Sequence, residues 1–212
     1  MGDEQGYLLI VEDDPDIRKL LDTALAFKGY RVLTAQNGRE ALNLIHKERP
    51  RIVIADIMMP QLDGFGLVHR LRIDPETRDV PVIFITATYI AQEDREFALK
   101  IGVTRFIQKP VDLERFLTVI NELLKRDVPT AIPPLNEVKF YEGYRQRLES
   151  KLQQKLKQIA RDEHLLTSHP DTNDQDLQLS LRHAIHERDE LDILLLELSK
   201  QMEKLSSQNK LE

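Results

Sequence analysis

The run Leu8-Leu9-Ile10-Val11 stops at three consecutive acids, Glu12, Asp13 and Asp14, and the run Ile52-Val53-Ile54-Ala55 stops at a fourth, Asp56. Two further apolar runs lead to groups of other kinds: Ile83-Phe84-Ile85 to Thr86, and Phe106-Ile107 to Lys109-Pro110 one residue beyond. Carboxylates crowded at one site must either take up protons or share a cation. A hard divalent cation takes oxygen ligands, and Mg²⁺ needs only one or two carboxylates beside water and phosphate oxygens. Mg²⁺ (or Mn²⁺) held by Asp13 and Asp56, with Glu12 as a further donor acting directly or through water, answers that chemistry. The same cation offsets the charge of a phosphoryl group, and a carboxylate is a competent covalent nucleophile for one. Lys109 suits a phosphate oxygen as a compact ammonium, and Thr86 offers a hydroxyl donor.

That chemistry requires the four runs to end at one place. Five short segments rich in apolar and β-branched residues, 7–11, 30–35, 51–55, 80–86 and 103–108, read as strands. Between and after them, helical patterns cover 15–28, 38–48, 64–73, 91–101 and 112–126, with Gly29 placed to end the first and Asn37-Gly38 to open the second. Strands alternating with helices predict an α/β unit: a five-stranded parallel doubly wound sheet of flavodoxin-like type, covered on both faces. In such sheets ligands gather beyond the carboxyl ends of the strands, where the strand order reverses. The acids, the hydroxyl and the ammonium all lie at those ends.

In order and spacing, "LIVEDDPDIRKLL", "IADIMMPQLDG", "FITAT" and "FIQKP" resemble the receiver domain of two-component response regulators, over residues 1–126. The resemblance implies that Asp56 is the phosphoacceptor and that Glu12, Asp13, Asp56 and the main-chain carbonyl of Met58 hold Mg²⁺. It implies that Thr86 and Lys109 bind the phosphoryl oxygens and that the Lys109–Pro110 peptide is cis. Thr86 and Phe106 fall at the family's switch positions; Phe106 carries no hydroxyl, so its signal is expected to come from ring packing alone. Met58 and Thr88 flank the path of the hydrolytic water in the family. An apolar Met58 offers that water no hydrogen bond, so unusually fast self-dephosphorylation is not expected. The implied role is a phosphoacceptor that assists its own phosphorylation and dephosphorylation, and is not otherwise an enzyme.

Nearby acids have plainer uses. Asp14 and Asp16 precede a helix and are expected to serve its N-terminus. Asp63 is expected to cap the helix that Gly64 opens, and Asp74-Pro75 marks a turn.

Charge and composition narrow the partners. Residues 1–126 hold 18 Lys and Arg against 20 Asp and Glu; subtracting these from the totals of 30 and 36 leaves 12 against 16 for the remainder. Neither part has the basic excess of a nucleic-acid reader. With no cysteine in the chain, disulfides and thiolate metal sites are ruled out. The opening "MGDEQGYLLIVEDDPD" lacks a basic region ahead of its short apolar run, so no signal peptide is expected, and no apolar stretch has the length of a membrane span. A cytoplasmic protein is expected.

The segment "DVPTAIPPLN" places three prolines within six residues, so residues 127–135 read as a stiff linker. Beyond it, residues 136–212 change character. A long polar helix carries Tyr141, Tyr144, Leu148, Leu152, Leu156 and Ile159 on one stripe, and "TSHPDTND" breaks it. A second helix follows with a heptad seam: Leu177, Ala184, Leu191, Leu198 and Leu205, alternating with Leu181, Arg188, Leu195 and Met202. Two long helices joined by a short loop predict an antiparallel hairpin. Ile193, Leu194 and Leu196 widen the apolar face in a way that suits a four-helix bundle of two chains, so a homodimer is expected. His183 and His186 in "RHAIHERDE" faintly suggest a phosphotransfer helix, but their surroundings read as a solvated charged face. His164 and His169 near the break stand at no spacing that requires a metal.

The expected function is a response regulator phosphorylated by a sensor histidine kinase, with the helical hairpin as its interaction and dimerisation module. One alternative is the receiver of a phosphorelay or hybrid kinase, with the tail as a signalling or phosphotransfer helix. A DNA-binding regulator is disfavoured, since the acidic, glycine-poor tail shows no helix-turn-helix pattern. Neither nucleic acid nor membrane is an expected partner.

Overall fold

The computed structural model describes residues 6–86, 92–125, 136–168 and 175–208. The chain divides into two compact units, residues 1–135 and 136–212.

The first unit runs β1 (Leu8–Val11), α1 (Pro15–Phe27), β2 (Val32–Ala35), α2 (Gly38–Ile45), β3 (Ile52–Asp56), α3 (Gly64–Ile73), β4 (Val82–Thr86), α4 (Gln92–Lys100), β5 (Arg105–Gln108) and α5 (Leu113–Leu124). All strands are parallel, in the order β2-β1-β3-β4-β5. The order reverses at β1, so the ends of β1 and β3 flank the switch point. Every residue of β1 is buried, as are the first four of β3 and of β4; being covered on both faces is why these strands read as unbroken apolar runs. Alternate side chains serve opposite faces. Leu8, Ile10, Ile52, Ile54, Ile83 and Ile85 pack with Leu21 and Leu25 of α1 and Phe116 and Ile120 of α5. On the other face, Phe65 of α3 meets Phe84 edge-on at 5.5 Å between ring centroids and Phe97 of α4 at 5.4 Å.

Local chemistry sets the element ends. Asp14 accepts from the amides of Asp16 and Ile17, so it caps α1 as expected; Asp16 lies in the first turn without accepting there. Asn37 caps α2 through the Glu40 amide and Asp63 caps α3 through the Gly66 amide. Gly29 follows α1 at φ 83°, a left-handed conformation that suits glycine. Asp74 accepts from the Glu76 amide, forming the turn its Asp-Pro pair predicts.

The second unit is two helices, α6 (Glu137–Ser168) and α7 (Gln175–Gln208), packed on each other. Lys155 pairs with Glu187 and Gln158 with Ser180, so the residue numbers run in opposite directions and the hairpin is antiparallel. On α7 the heptad seam is buried at Ala184, Leu191 and Leu198. The apolar stripe on α6 differs from the expected one. Phe140, absent from it, is buried with Tyr144, Leu148 and Ile159, whereas Leu156 is exposed. Lys155 and Asp162 sit at seam positions instead. Asp162 is fully buried because Ser180 Oγ donates to it at 3.0 Å and the Arg161 guanidinium at 2.9 Å; Arg161 above all holds its carboxyl below the usual carboxylate range. Of the three residues expected to widen the α7 face, Leu194 is buried, while Ile193 and Leu196 are each 58% exposed. The linker 127–135, the break at 169–174 and Thr88 lie outside the described residues.

Candidate functional site

Each chemical group stands at the end of a strand, where the ladder stops and the chain turns. Glu12 and Asp13 follow β1, Asp56 closes β3, Thr86 closes β4, and Lys109 follows β5. Because the strands are in parallel register, with Val11 beside Ala55 and Ile85 beside Asp56, these ends share one edge. One oxygen from each of Glu12, Asp13 and Asp56 lies within 4.8 Å of the others. Lys109 Nζ donates to Asp56 Oδ2 at 2.8 Å and to Glu12 Oε1 at 3.1 Å. The Ile57 amide donates to Asp56 Oδ1 at 2.6 Å, fixing the plane of that carboxylate. Lys109 is held in turn by its own amide, which donates to the Thr86 carbonyl at 2.7 Å, and its peptide to Pro110 is cis.

The electrostatics follow from the crowding. Burial first, and the Asp56 charge second, push the Glu12 carboxyl up to about 7 against the opposing pull of Lys109. Burial and Asp56 raise Asp13 as well. Lys109 loses some proton affinity to burial, but its hydrogen bond and charge pairing with Asp56, and then Glu12, raise it overall. Glu12 is 1% exposed, and its Oε2 makes no hydrogen bond. A buried, unbonded carboxylate oxygen beside two further acids forms a hard-oxygen donor set that fits Mg²⁺ or Mn²⁺. Met58, in the loop beyond Asp56, is 41% exposed.

The loop between β3 and α3 leaves no room for a side chain at Gly64. Its amide donates to the Ile57 carbonyl at 2.9 Å. A Cβ there would lie 2.5 Å from the Asp56 carbonyl oxygen and 3.0 Å from Ile57 Cα, both backbone atoms held by the sheet and loop. Gly64→Ala is expected to destabilise the first unit by about 2 kcal/mol, as overpacking against an unyielding neighbour does. Urea unfolding of variant and parent measures it, and equal midpoints would show that the loop yields.

Phe106 stacks edge-on with Phe84 at 6.1 Å, and the Arg95 guanidinium of α4 lies 5.0 Å from its ring centre. Ring packing is therefore supplemented by a cation–π contact, a partner the sequence reading did not name. It also assigned nothing to Arg18, whose guanidinium binds the carbonyls of Glu12 and Asp13. His164, His183 and His186 are all exposed on the helices of the second unit, and His186 lies 3.8 Å from Glu190. Among the described residues the Glu12, Asp13 and Asp56 cluster is the one group suited to a metal; the histidines form none.

Residues 8–121 match the response regulator receiver domain, and the chain belongs to that family. It is 44% identical over 119 residues to a probable transcriptional regulator ycf27 of Guillardia theta, covering 56% of this chain and 45% of that protein. The chain spans about half the length of the curated relatives of that name. Among solved structures, the signal receiver domain of a signal transduction histidine kinase from Syntrophus aciditrophicus matches with a TM-score of 0.53 and 32% identity. It covers 59% of this chain and 98% of that one. Chemotaxis protein CheY4 of Vibrio cholerae matches with a TM-score of 0.53 and 29% identity, covering 56% and 98%. The family match lies in the α/β unit, and α6 and α7 lie beyond it.

Proposed function

We propose that the chain is a two-component response regulator that takes a phosphoryl group onto Asp56 from a sensor histidine kinase and signals through its helical hairpin. The observation that carries this is the three-carboxylate cluster within 4.8 Å, bridged by Lys109. An Asp56 oxygen attacks phosphorus, the bond from phosphorus to the donor's histidine nitrogen breaks, and the nitrogen keeps the electron pair. Lys109 transfers its hydrogen bond from Asp56 to a phosphoryl oxygen, and the Thr86 hydroxyl donates to another. Glu12, Asp13, Asp56 and the Met58 carbonyl would hold Mg²⁺, which offsets the phosphoryl charge. The chain acts in the cytoplasm and catalyses nothing beyond its own phosphorylation and dephosphorylation. No helix of the described residues is long and apolar enough to cross a membrane.

The hairpin serves as a dimerisation module in this reading. Ile193 and Leu196 are exposed on the side of α7 turned away from its buried seam; a second copy packed against that side is how two hairpins would meet as four helices.

Acetyl phosphate with Mg²⁺ is expected to add the mass of one phosphoryl group, mapped to Asp56, and EDTA is expected to prevent it. Label on another residue, or label that forms without metal, would refute the site. Light scattering of the same samples is expected to give a dimer; a monomer before and after labelling would remove the dimerisation role.

A second reading, a DNA-binding regulator, draws on the relatives called transcriptional regulators. Their likeness covers 119 residues and stops short of more than half of the Guillardia protein. In this chain the part beyond residue 126 is acidic, 12 basic against 16 acidic residues, where phosphate contacts call for the reverse. Retardation of duplex DNA by the full chain in a low-salt gel would favour that second reading.

A further inference from the structure

The geometry points to Arg18 as a positioning residue for the metal-binding acids, acting through the backbone of the loop between β1 and α1. This inference rests on reading Glu12 and Asp13 as metal ligands. Arg18 lies one turn inside α1 and reaches back over the loop. Its Nη1 donates to the Glu12 carbonyl at 2.6 Å and to the Asp13 carbonyl at 3.1 Å. Guanidinium suits this task because its planar, permanently charged fork gives up little freedom for each bond it forms. One side chain thus fixes two successive peptide units in the segment that carries both acids.

The orientation of those units has a consequence at the site. In a trans peptide the carbonyl and the amide N–H point to opposite sides. Turning the Glu12 and Asp13 carbonyls toward Arg18 therefore turns the amides of Asp13 and Asp14 the other way. Arg18 thereby fixes the main chain from which the Glu12 and Asp13 carboxylates project, without touching either. The main chain of the loop is tied at two other points as well: the Glu12 amide donates to the Ala35 carbonyl at 3.1 Å, and Asp14 caps α1. Between those anchors, Arg18 is what fixes the two carbonyls.

The alternative, that Arg18 is simply a positive charge near the acids, predicts the opposite sign. Removing a neighbouring cation would strengthen binding of a dication, whereas removing a positioning residue weakens it. Calorimetric titration of the full chain with MgCl₂ alone, at fixed ionic strength, reads that sign. Arg18→Gln is expected to raise the Mg²⁺ dissociation constant about tenfold, the size of effect that residues supporting metal ligands have. Arg18→Lys, which keeps the charge and can serve one carbonyl, is expected to fall between, at about threefold. Acetyl phosphate labelling of Asp56 in Arg18→Gln is expected to recover to the parent rate at saturating Mg²⁺, because Arg18 touches no reacting atom. Unchanged or tighter Mg²⁺ binding by Arg18→Gln overturns the inference, and so does labelling that stays slow at saturating metal. Should Arg18→Gln not fold, Arg18→Lys decides alone, and a dissociation constant equal to the parent's overturns it. A parent chain that binds no Mg²⁺ overturns the proposed function, and this inference with it.

Discussion

Asp56→Asn is expected to abolish labelling by acetyl phosphate and, at the same time, to raise the melting temperature measured in EDTA. The two effects have one origin. The amide oxygen of Asn is too weak a nucleophile to hold phosphorus, so the covalent product cannot form. Asn is nearly isosteric, however, and its oxygen can still accept from the Ile57 amide, the bond Asp56 Oδ1 makes at 2.6 Å, while its NH₂, a donor, replaces the Oδ2 that accepts from Lys109 Nζ at 2.8 Å. What disappears is a negative charge whose oxygen stands within 4.8 Å of oxygens of two other acids. Two like charges 4 Å apart repel by about 4 kcal/mol at an effective dielectric constant near 20. Lys109 offsets much of this and keeps Glu12 as a partner afterwards, so a net gain of about 1–2 kcal/mol is expected. In a domain of this size that is a rise of about 3–8 °C. Calorimetry and intact-mass labelling on one preparation test both halves. A labelled variant would move the acceptor elsewhere, and an unchanged melting temperature would mean the acids are not in conflict in the metal-free chain.

Acid is expected to weaken the first unit through His69. This α3 residue is 3% exposed, and burial first, with the neighbouring Arg70 charge second, depresses its pKa to about 4. In the unfolded chain the imidazole titrates near 6.5. Between those values the unfolded state binds a proton that the native state refuses, so stability is lost as pH falls from about 6.5 toward 4. A shift of this size corresponds to about 3 kcal/mol by the lower end of the window. His69→Leu keeps an apolar side chain of similar bulk and removes the titration. Between pH 7 and pH 4 the parent is expected to lose about 3 kcal/mol more than the variant in urea unfolding. Taking the difference between the two proteins cancels the other titrating groups. Parallel curves would show that His69 is protonated in the folded state.

Much of this architecture is readable from the chain because it is local. Asp14, Asn37 and Asp63 sit where a helix needs a cap, and the runs before Asp56 and Thr86 are apolar throughout because both faces of their strands are covered. The gathering of Glu12, Asp13, Asp56, Thr86 and Lys109 at one edge follows from parallel topology alone. Contacts that depend on where a long side chain swings leave no periodic trace. Arg18 bending back to two carbonyls and Arg95 reaching the Phe106 ring are of that kind. On α6 the hydrophobic pattern misleads for a different reason. Leu156 looks like a seam residue by type, yet Lys155 and Asp162 take seam positions because α7 offers Glu187 and Ser180 opposite them. A polar residue with a partner across the seam is invisible to any scan for apolar spacing.

That buried carboxylate also decides how the hairpin can move. Sliding α6 past α7 by one turn, about 5.4 Å, would part Asp162 from Ser180, leaving that buried carboxylate with Arg161 of its own helix, while Lys155 and Glu187 would come apart in the same stroke. The two helices are keyed together like a ratchet with one tooth engaged. Tilting or turning the two helices as one unit leaves both pairings intact.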